Sequence, residues 1–306
     1  MSIVGHEKII SFFDKVIGNN ALAQSYAFVG SDNVGKRTVA RHLAAKILKI
    51  TEKQLDTHPD FYYVSRLVDE KTEKLKKDIS IVQARQIKSK LGNKSWFGGY
   101  QIVIIDEAEL LNEESGNALL KILEESGQQR VFFLLTANDG ELLSTIRSRC
   151  QMFYFSLVSA KLIEANLISL GYSQELASEA AKLSWGRPGR GITLAADDNL
   201  RGAFKQEAER WQKLVNEPYY KKAKAFEDLF NEKIDNLRTS EKLSNVLEVW
   251  TMVWREKILE KIENNPKATD LLFIARLIDS FKNSQVLLAQ NINPRLILDQ
   301  ILLNFN

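Results

Sequence analysis

The stretch that most constrains this chain is GSDNVGKRT, residues 30–38, because glycine-rich loops of this kind hold phosphate groups. The pattern G-x-x-x-x-G-K-[ST] surrounds phosphates with backbone N–H groups and a lysine, and three residues match it: Gly30, Gly35 and Lys36. Arg37 stands where the pattern requires a hydroxyl, and Thr38 follows one position later. The loop therefore predicts a phosphate site between a strand and a helix, with one ligand-holding position changed.

The apolar residues around the loop follow the pattern of a parallel α/β layer. Residues 26–29 read as a buried strand, and VARHLAAKILKI after the loop has apolar residues at helical spacing. QIVIIDEAE and RVFFLLTAN are two further strand-like runs, separated by the helical stretch NEESGNALLKILEES. After Phe155 the sequence is helical in character, with a break around Pro188. We expect an α/β domain followed by helices, with boundaries near residues 157 and 200.

Composition limits the compartment and the metal chemistry. With 306 residues the chain is long enough for two or three domains, and its formal charge of +3 is too small to indicate nucleic-acid binding by itself. Cys150 is the only cysteine and the three histidines stand far apart, so we expect no disulfide and no zinc or other metal site. No run approaches the roughly 18 apolar residues of a membrane span, so a cytoplasmic location is expected.

Two carboxylates end the run QIVIIDEAE. Asp106 and Glu107 follow a buried strand, at the edge where ligands bind in open α/β sheets. In an ATPase, Asp106 would hold magnesium or its water, and Glu107 would orient or deprotonate the attacking water. The alternative is that both residues begin a helix, where the helix dipole favours acidic side chains.

Arg37 decides what such a site can do. Its guanidinium has donors and no acceptor, so it cannot coordinate Mg²⁺, although it adds positive charge next to the phosphates. Moving the motif by one residue to use Thr38 would rotate that hydroxyl by about 100° off the inner face of the loop. We therefore expect the loop to bind ATP or ADP, while magnesium-dependent hydrolysis is lost or slow.

Three stretches together resemble the AAA+ clamp-loader subunits of bacterial DNA polymerase III, most closely their delta-prime type: LLNEESGNALLKILEE, FFLLTAN and LLSTIRSRCQMFYF. The resemblance extends to IVGHEKIISFF at the start, to HPDFYYV at a second strand, and to NPRLILDQILLNF near the end. It implies an AAA+ P-loop domain with a parallel sheet at residues 1–157, a helical lid at 158–200, and an all-helical collar at 201–306 that assembles with other subunits.

The resemblance also implies roles for two residues. Within the triplet SRC, Arg149 would act as an arginine finger that reaches ATP held by a neighbouring subunit. Such a finger stabilises charge on the transferred phosphoryl group, which suits the planar guanidinium fork. Asn138, at the end of FFLLTAN, matches the family's sensor of the γ-phosphate. The alternatives are a surface ion pair for Arg149 and a strand-end cap for Asn138.

The chain departs from the family at two points. LKITEKQLDTHPD lacks the four cysteines of a zinc module that many members carry there. In GRPGRGITL, Gly189 stands where motor subunits place an arginine that contacts ATP, and Arg190 comes one residue later. One residue rotates a helical side chain by about 100°, so nucleotide sensing from the lid is not expected.

These features predict a delta-prime-like subunit that supplies Arg149 to a neighbour while the sliding clamp is loaded on primed DNA. The expected partners are clamp-loader subunits of the gamma/tau and delta types, the sliding clamp and, through the complex, primed DNA, with no membrane. Two alternatives stay open. One is a gamma/tau-like motor subunit that hydrolyses ATP with its own Lys36, Asp106 and Glu107, and the other is an AAA+ ATPase of recombination or repair.

Overall fold

The computed structural model describes residues 3–69, 76–91, 95–124, 129–214, 217–230, 236–263, 268–290 and 292–304. The chain divides into two compact units, Met1–Ala196 and Asp197–Asn306. The first unit contains a five-stranded parallel sheet, and the second is built from helices across its described residues. The predicted α/β fold class with a helical C-terminal part is confirmed. The predicted boundaries at residues 157 and 200 stay predictions.

Helices and strands alternate through the sheet of the first unit and give way to three further helices. In chain order the elements are α1 Glu7–Gly18, β1 Ser25–Val29, α2 Lys36–Leu48, β2 Phe61–Val64, α3 Ile81–Leu91, β3 Gln101–Ile105, α4 Glu113–Glu124, β4 Arg130–Thr136, α5 Ser144–Arg147, β5 Gln151–Tyr154, α6 Ala160–Ser169, α7 Gln174–Leu183 and α8 Pro188–Ala196.

The sheet has the strand order β2-β3-β4-β1-β5, and every neighbouring pair is parallel. β1, β3 and β4 are buried at every residue, as their continuous apolar sequences predict, so the three expected strands are confirmed. Parallel strands bring their carboxyl ends to one edge of the sheet. The phosphate loop, Asp106 and Asn138 therefore all follow strands that end at that edge.

Apolar side chains cover both faces of the sheet. On one face, Phe13 of α1 and Leu43 of α2 pack with Phe28 of β1 in a single buried cluster. On the other face, Leu119 of α4 and Ile146 of α5 pack with residues of β3 and β4 in a second cluster. Full burial of one such side chain contributes about 1.5–3 kcal/mol. The strands that carry the site are thus held from both sides.

The second unit is a set of packed helices around stacked tryptophans. Its helices are α9 Asp198–Leu214, α10 Tyr219–Ala225, α11 Asn236–Glu263, α12 Ala268–Ala289 and α13 Pro294–Leu303. Trp211 stacks on Trp250 with 3.9 Å between ring centroids, and Phe226 and Phe281 lie edge-on around the Trp250 ring. Across the described residues, none of the helices combines the length and the apolar character that crossing a membrane requires.

Candidate functional site

The phosphate loop joins β1 to α2 and depends on glycine at both of its ends. A β-carbon on Gly30 would lie 2.7 Å from the Phe155 carbonyl oxygen, because the end of β5 runs directly beside the loop. Gly35 has φ 114°, in the left-handed region that favours glycine, and it precedes the first turn of α2. Both matched glycines are therefore required by the backbone path of the loop.

Lys36 is buried and turned onto its own loop. Only 8% of the residue is exposed, and its ammonium donates to the Gly30 carbonyl and, at 3.3 Å, to the Ser31 carbonyl. Asp32 lies 3.8 Å from the ammonium. Burial lowers the pKa of Lys36 from its ordinary value, and Asp32 acts in the opposite direction. Lys36 is the first residue of α2, and its ammonium, which would contact phosphates, is directed into the loop.

A cavity of about 700 Å³ opens beside the loop, within the size range of small-molecule sites. Several of the predicted site residues line it: Gly35, Lys36, Arg37, Thr38, Asp106 and Glu107. Apolar residues form another part of its wall: Ile3, Val4, Leu170, Pro188 and Ile192. The cavity thus combines charged groups suited to phosphates with an apolar side suited to a planar base.

Both carboxylate oxygens of Asp106 already have partners. Oδ2 accepts a hydrogen bond from the Tyr63 hydroxyl at 2.5 Å and lies 3.6 Å from Nε of Arg37, while Oδ1 accepts from the Glu107 backbone N–H at 3.2 Å. The Arg37 guanidinium also lies over the Tyr63 ring, 4.6 Å from its centroid. Burial and the bond to Asp106 raise the pKa of Tyr63. Mg²⁺ does not fit this arrangement, because Arg37 takes the place of a ligand hydroxyl and contacts the carboxylate itself.

Glu107 is held by a second arginine. Arg66 donates from Nε to Oε2 at 2.8 Å and from Nη2 to Oε1 at 2.5 Å, a two-pronged ion pair at the edge of the cavity. The carboxylate of Glu107 raises the pKa of Arg66 further. Glu107 also has φ 55°, a left-handed conformation that is uncommon outside glycine. Each carboxylate oxygen of Glu107 thus accepts one hydrogen bond from Arg66 within the chain.

The helices after β5 contact the loop through Gly189. Its backbone N–H donates to the Asn33 carbonyl at 2.9 Å, and a β-carbon at position 189 would lie 3.1 Å from that oxygen. A side chain longer than glycine would therefore be crowded against the phosphate loop. Arg190 follows one residue later, and its guanidinium carbon lies over the Trp185 ring, 5.7 Å from the ring centroid. The segment before α1 also contacts the phosphate loop, since Nε2 of His6 lies 3.0 Å from the Val34 carbonyl oxygen.

Asn138 is placed as a cap and does not line the cavity. Its Oδ1 accepts from the Gly140 N–H at 3.0 Å, and its Nδ2 donates to Glu141 at 3.2 Å, at the start of the turn Asp139–Glu141. This is the geometry of the capping alternative. The sensor role stays a prediction.

Arg149 lies away from the cavity on an exposed surface. Its guanidinium donates from Nη2 to Glu124 at 2.7 Å and from Nη1 to the Thr145 carbonyl at 3.0 Å. The side chain is 40% exposed. Its neighbour Cys150 is half-buried in the core below, and this burial raises the pKa of the thiol to about 11. The triplet SRC therefore points an arginine outward while its cysteine anchors the turn.

Tyr63 and Arg66 are site residues that sequence reasoning missed. Both follow from HPDFYYVSR, because β2 lies parallel to β3 with Val64 opposite Ile105. Residues at the end of β2 consequently reach the same edge as Asp106 and Glu107. The register of β2 against β3 could have indicated both residues, but using it requires knowing that the two strands are neighbours.

Among the described residues, no group of three or more His, Cys, Asp or Glu side chains is arranged to hold a metal, and the expected absence of zinc stays a prediction.

Comparison with known proteins places the chain among DNA polymerase III subunits. The family model described as DNA polymerase III, delta subunit, matches residues 5–159. The chain is 34% identical to DNA polymerase III subunit delta' of Escherichia coli K12 over 48% of this chain, and 32% identical to that of Pseudomonas aeruginosa over 42%. Over 66% of this chain it is 26% identical to subunit tau of Salmonella typhimurium, of which 31% is covered. The matched part spans 42% of the length of both delta' relatives.

Solved structures give weaker likenesses. The RuvB Holliday junction branch migration motor of Thermotoga maritima is 20% identical with a TM-score of 0.47, covering 63% of this chain and 61% of that one. A DNA polymerase III gamma subunit-related protein of the same organism is 19% identical with a TM-score of 0.47, covering 96% and 98%. Both scores lie below 0.5, so the fold assignment rests on the sheet and its loop. Because the family model spans half of the chain, the protein belongs to the DNA polymerase III delta-subunit family, where it is similar to delta' subunits.

Proposed function

We propose that this chain is a delta-prime-type subunit of the bacterial clamp loader that supplies Arg149 to ATP held by a neighbouring subunit. Its own phosphate loop does not hydrolyse ATP. In this role the chain contributes a cationic group to a reaction that takes place on another subunit. The proposal fits a protein whose relatives are named as DNA polymerase III subunits, delta' and tau among them.

The observation that carries the proposal is the pairing of both catalytic-type carboxylates with arginines. Arg37 and Tyr63 engage Asp106, and Arg66 engages Glu107 through two hydrogen bonds. Hydrolysis at this loop would need a cation next to Asp106 and a free carboxylate at Glu107 to orient water. Both requirements are opposed by contacts made within the chain. A subunit whose own loop does not hydrolyse ATP can still act on a neighbour through the exposed Arg149.

Nucleotide binding at the chain's own loop is part of the proposal. Lys36, the backbone N–H groups at the start of α2 and the Arg37 guanidinium would contact the phosphates of ATP or ADP. Lys36 would have to exchange its bonds to the Gly30 and Ser31 carbonyls for bonds to phosphate oxygens. The bound nucleotide would then hold the loop and α8 together, a structural use that needs no turnover.

The proposed partners follow from the finger. Subunits of the gamma/tau type would present the ATP that Arg149 reaches, a delta-type subunit would complete the assembly, and the sliding clamp and primed DNA would be bound by the whole complex. The exposed position of Arg149 supports contact with another chain, since a finger must leave its own surface to reach a neighbour's phosphate.

A second candidate is a motor subunit that hydrolyses ATP itself. Asp106 and Glu107 are both present at the edge of the cavity, and the chain is 26% identical to a tau subunit over 66% of its length. For this function Arg66 and Arg37 would have to release the two carboxylates when nucleotide binds. The contacts described above favour the first candidate.

The experiment that tests the proposal compares Arg149→Ala with Arg147→Ala in the assembled loader. Arg147 is a matched control, because it lies in α5 and pairs with Asp139 at 2.7 Å. Loss of a finger lowers the rate at the affected site by about 10³- to 10⁵-fold. The ATPase of the whole complex should fall by less, since its other sites keep their residues. Arg149→Lys should restore little, because an ammonium lacks the planar fork. Equal rates for parent and Arg149→Ala complexes would remove Arg149 from the reaction.

A further inference from the structure

Arg149 is oriented by a residue outside the triplet SRC. Glu124, the last residue of α4, accepts from Nη2 of Arg149 at 2.7 Å, and the Thr145 carbonyl accepts from Nη1 at 3.0 Å. Ser148 lies 3.5 Å from Nη1 and adds a weaker contact. Two groups on different helices thus fix the plane of one guanidinium.

The distance between Glu124 and Arg149 is set by a packed core. Gly116 lets α4 approach the segment before α5 so closely that a β-carbon at 116 would overlap the Leu143 side chain. Ile146 of α5 is fully buried, in the same cluster as Leu119 of α4. The two helices therefore hold their relative position without help from the ion pair. Glu124 is built into place beside the arginine.

The position of Glu124 is unfavourable for its own helix. The C-terminal end of a helix carries partial negative charge, so an acidic residue in the last turn costs a few tenths of a kcal/mol or more. Lys121, in the same turn, has the favourable sign. The stability of α4 does not explain a carboxylate here. The contact with Arg149 does.

We propose that Glu124 is a positioning residue for the arginine finger; the proposal rests on the function proposed above for Arg149. Its carboxylate accepts from Nη2 and the Thr145 carbonyl accepts from Nη1, whereas Nε makes no hydrogen bond within the described residues. The N–H groups of Nε and Nη2 that Glu124 and Thr145 do not use can donate to phosphate oxygens. A guanidinium held in one plane loses less rotamer freedom when it meets the neighbour's phosphate.

The size of the effect follows from exposure. The Glu124 side chain is 54% exposed and that of Arg149 is 40% exposed, so the ion pair is weak and changes a rate by about 2- to 5-fold. Glu124→Gln should therefore lower the kcat of the loader by about 2- to 5-fold at the ATP site that Arg149 serves. The KM for ATP should stay unchanged, because the carboxylate acts on the orientation of the finger and does not contact the nucleotide.

The test uses the complete loader assembled with this chain and measures steady-state ATP hydrolysis. Glu114→Gln is the matched control, because it removes the same charge from the exposed first turn of α4 and should leave kcat unchanged. Adding Glu124→Gln to Arg149→Ala should cause no further loss. This last comparison separates positioning from a general structural effect, which would lower the rate in either background.

Each outcome decides between the two proposals. If Arg149→Ala lowers hydrolysis and Glu124→Gln does not, the positioning role is wrong while the finger survives. A rise in kcat with Glu124→Gln would mean that the carboxylate withholds the arginine, which also overturns the proposal. If Arg149→Ala itself has no effect, the proposed function fails first.

Discussion

At the scale of single residues, one substitution in the phosphate motif changes the chemistry of the whole site. Arg37 occupies the hydroxyl position and reaches Asp106, the carboxylate that would share a metal ion with that hydroxyl. The Tyr63 hydroxyl donates a short hydrogen bond to Oδ2 of Asp106, and the Arg37 guanidinium lies over the Tyr63 ring. A site arranged in this way carries its own positive charge, so its affinity for phosphates should depend little on Mg²⁺.

Arg37→Thr should make nucleotide binding depend on magnesium. The substitution restores a hydroxyl to the motif and frees one side of Asp106, so added Mg²⁺ should strengthen ADP binding by roughly tenfold or more, the size of one charge-assisted contact. The parent chain should bind ADP equally well in chelator and in Mg²⁺. Calorimetric titration measures both, with Arg41→Thr as the control because Arg41 pairs with Asp56 and does not line the cavity. A parent affinity that rises tenfold with Mg²⁺ would contradict this account of Arg37.

At the scale of elements, the sequence predicts what repeats regularly and misses what depends on neighbours. β1, β3 and β4 are continuous apolar runs, and the glycine-rich loop has a fixed pattern, so all four could be identified without a structure. β5 is a four-residue edge strand with both ends exposed, and its pattern is too short to separate it from a loop.

The partners of the site carboxylates could not be predicted in the same way. Arg66 meets Glu107 only because β2 pairs with β3, and Glu124 meets Arg149 only because α4 packs on α5. Such pairs join residues 41 and 25 positions apart. No local periodicity encodes them, since they arise from the order of strands and the packing of helices.

Glu207 in α9 gives a test at the element scale in the second unit. It accepts from the indole N–H of the buried Trp250 at 2.8 Å, and burial raises its pKa. Glu207→Ala should lower the free energy of unfolding by about 1–3 kcal/mol, because it leaves that N–H without its acceptor. Glu207→Gln should cost less, since its amide oxygen can accept the same bond without a buried charge. Denaturant unfolding measures the differences, and the exposed Glu209→Ala on the same helix should change little.

At the scale of the whole molecule, the first unit contains both the cavity and the arginine on which the two candidate functions depend. All residues that line the cavity belong to it, and so does Arg149, which lies outside that cavity. A self-sufficient ATPase would hydrolyse ATP in the cavity and would not need the exposed Arg149. A donor subunit would need Arg149 for a neighbour's ATP and would not hydrolyse ATP in its own cavity. The side-chain contacts at Asp106 and Glu107 favour the donor.

The most direct measurement of this claim compares Glu107→Gln with Arg149→Ala in the same assembled loader. Glutamine keeps the size of Glu107, removes its ability to act as a base and loses one of the two bonds to Arg66, all within the chain's own site, so the comparison separates that site from the site that Arg149 serves. The account predicts that Glu107→Gln leaves ATP hydrolysis by the complex at the parent rate, whereas Arg149→Ala lowers it. A fall in the rate with Glu107→Gln and a parent rate with Arg149→Ala would show that the chain hydrolyses ATP itself.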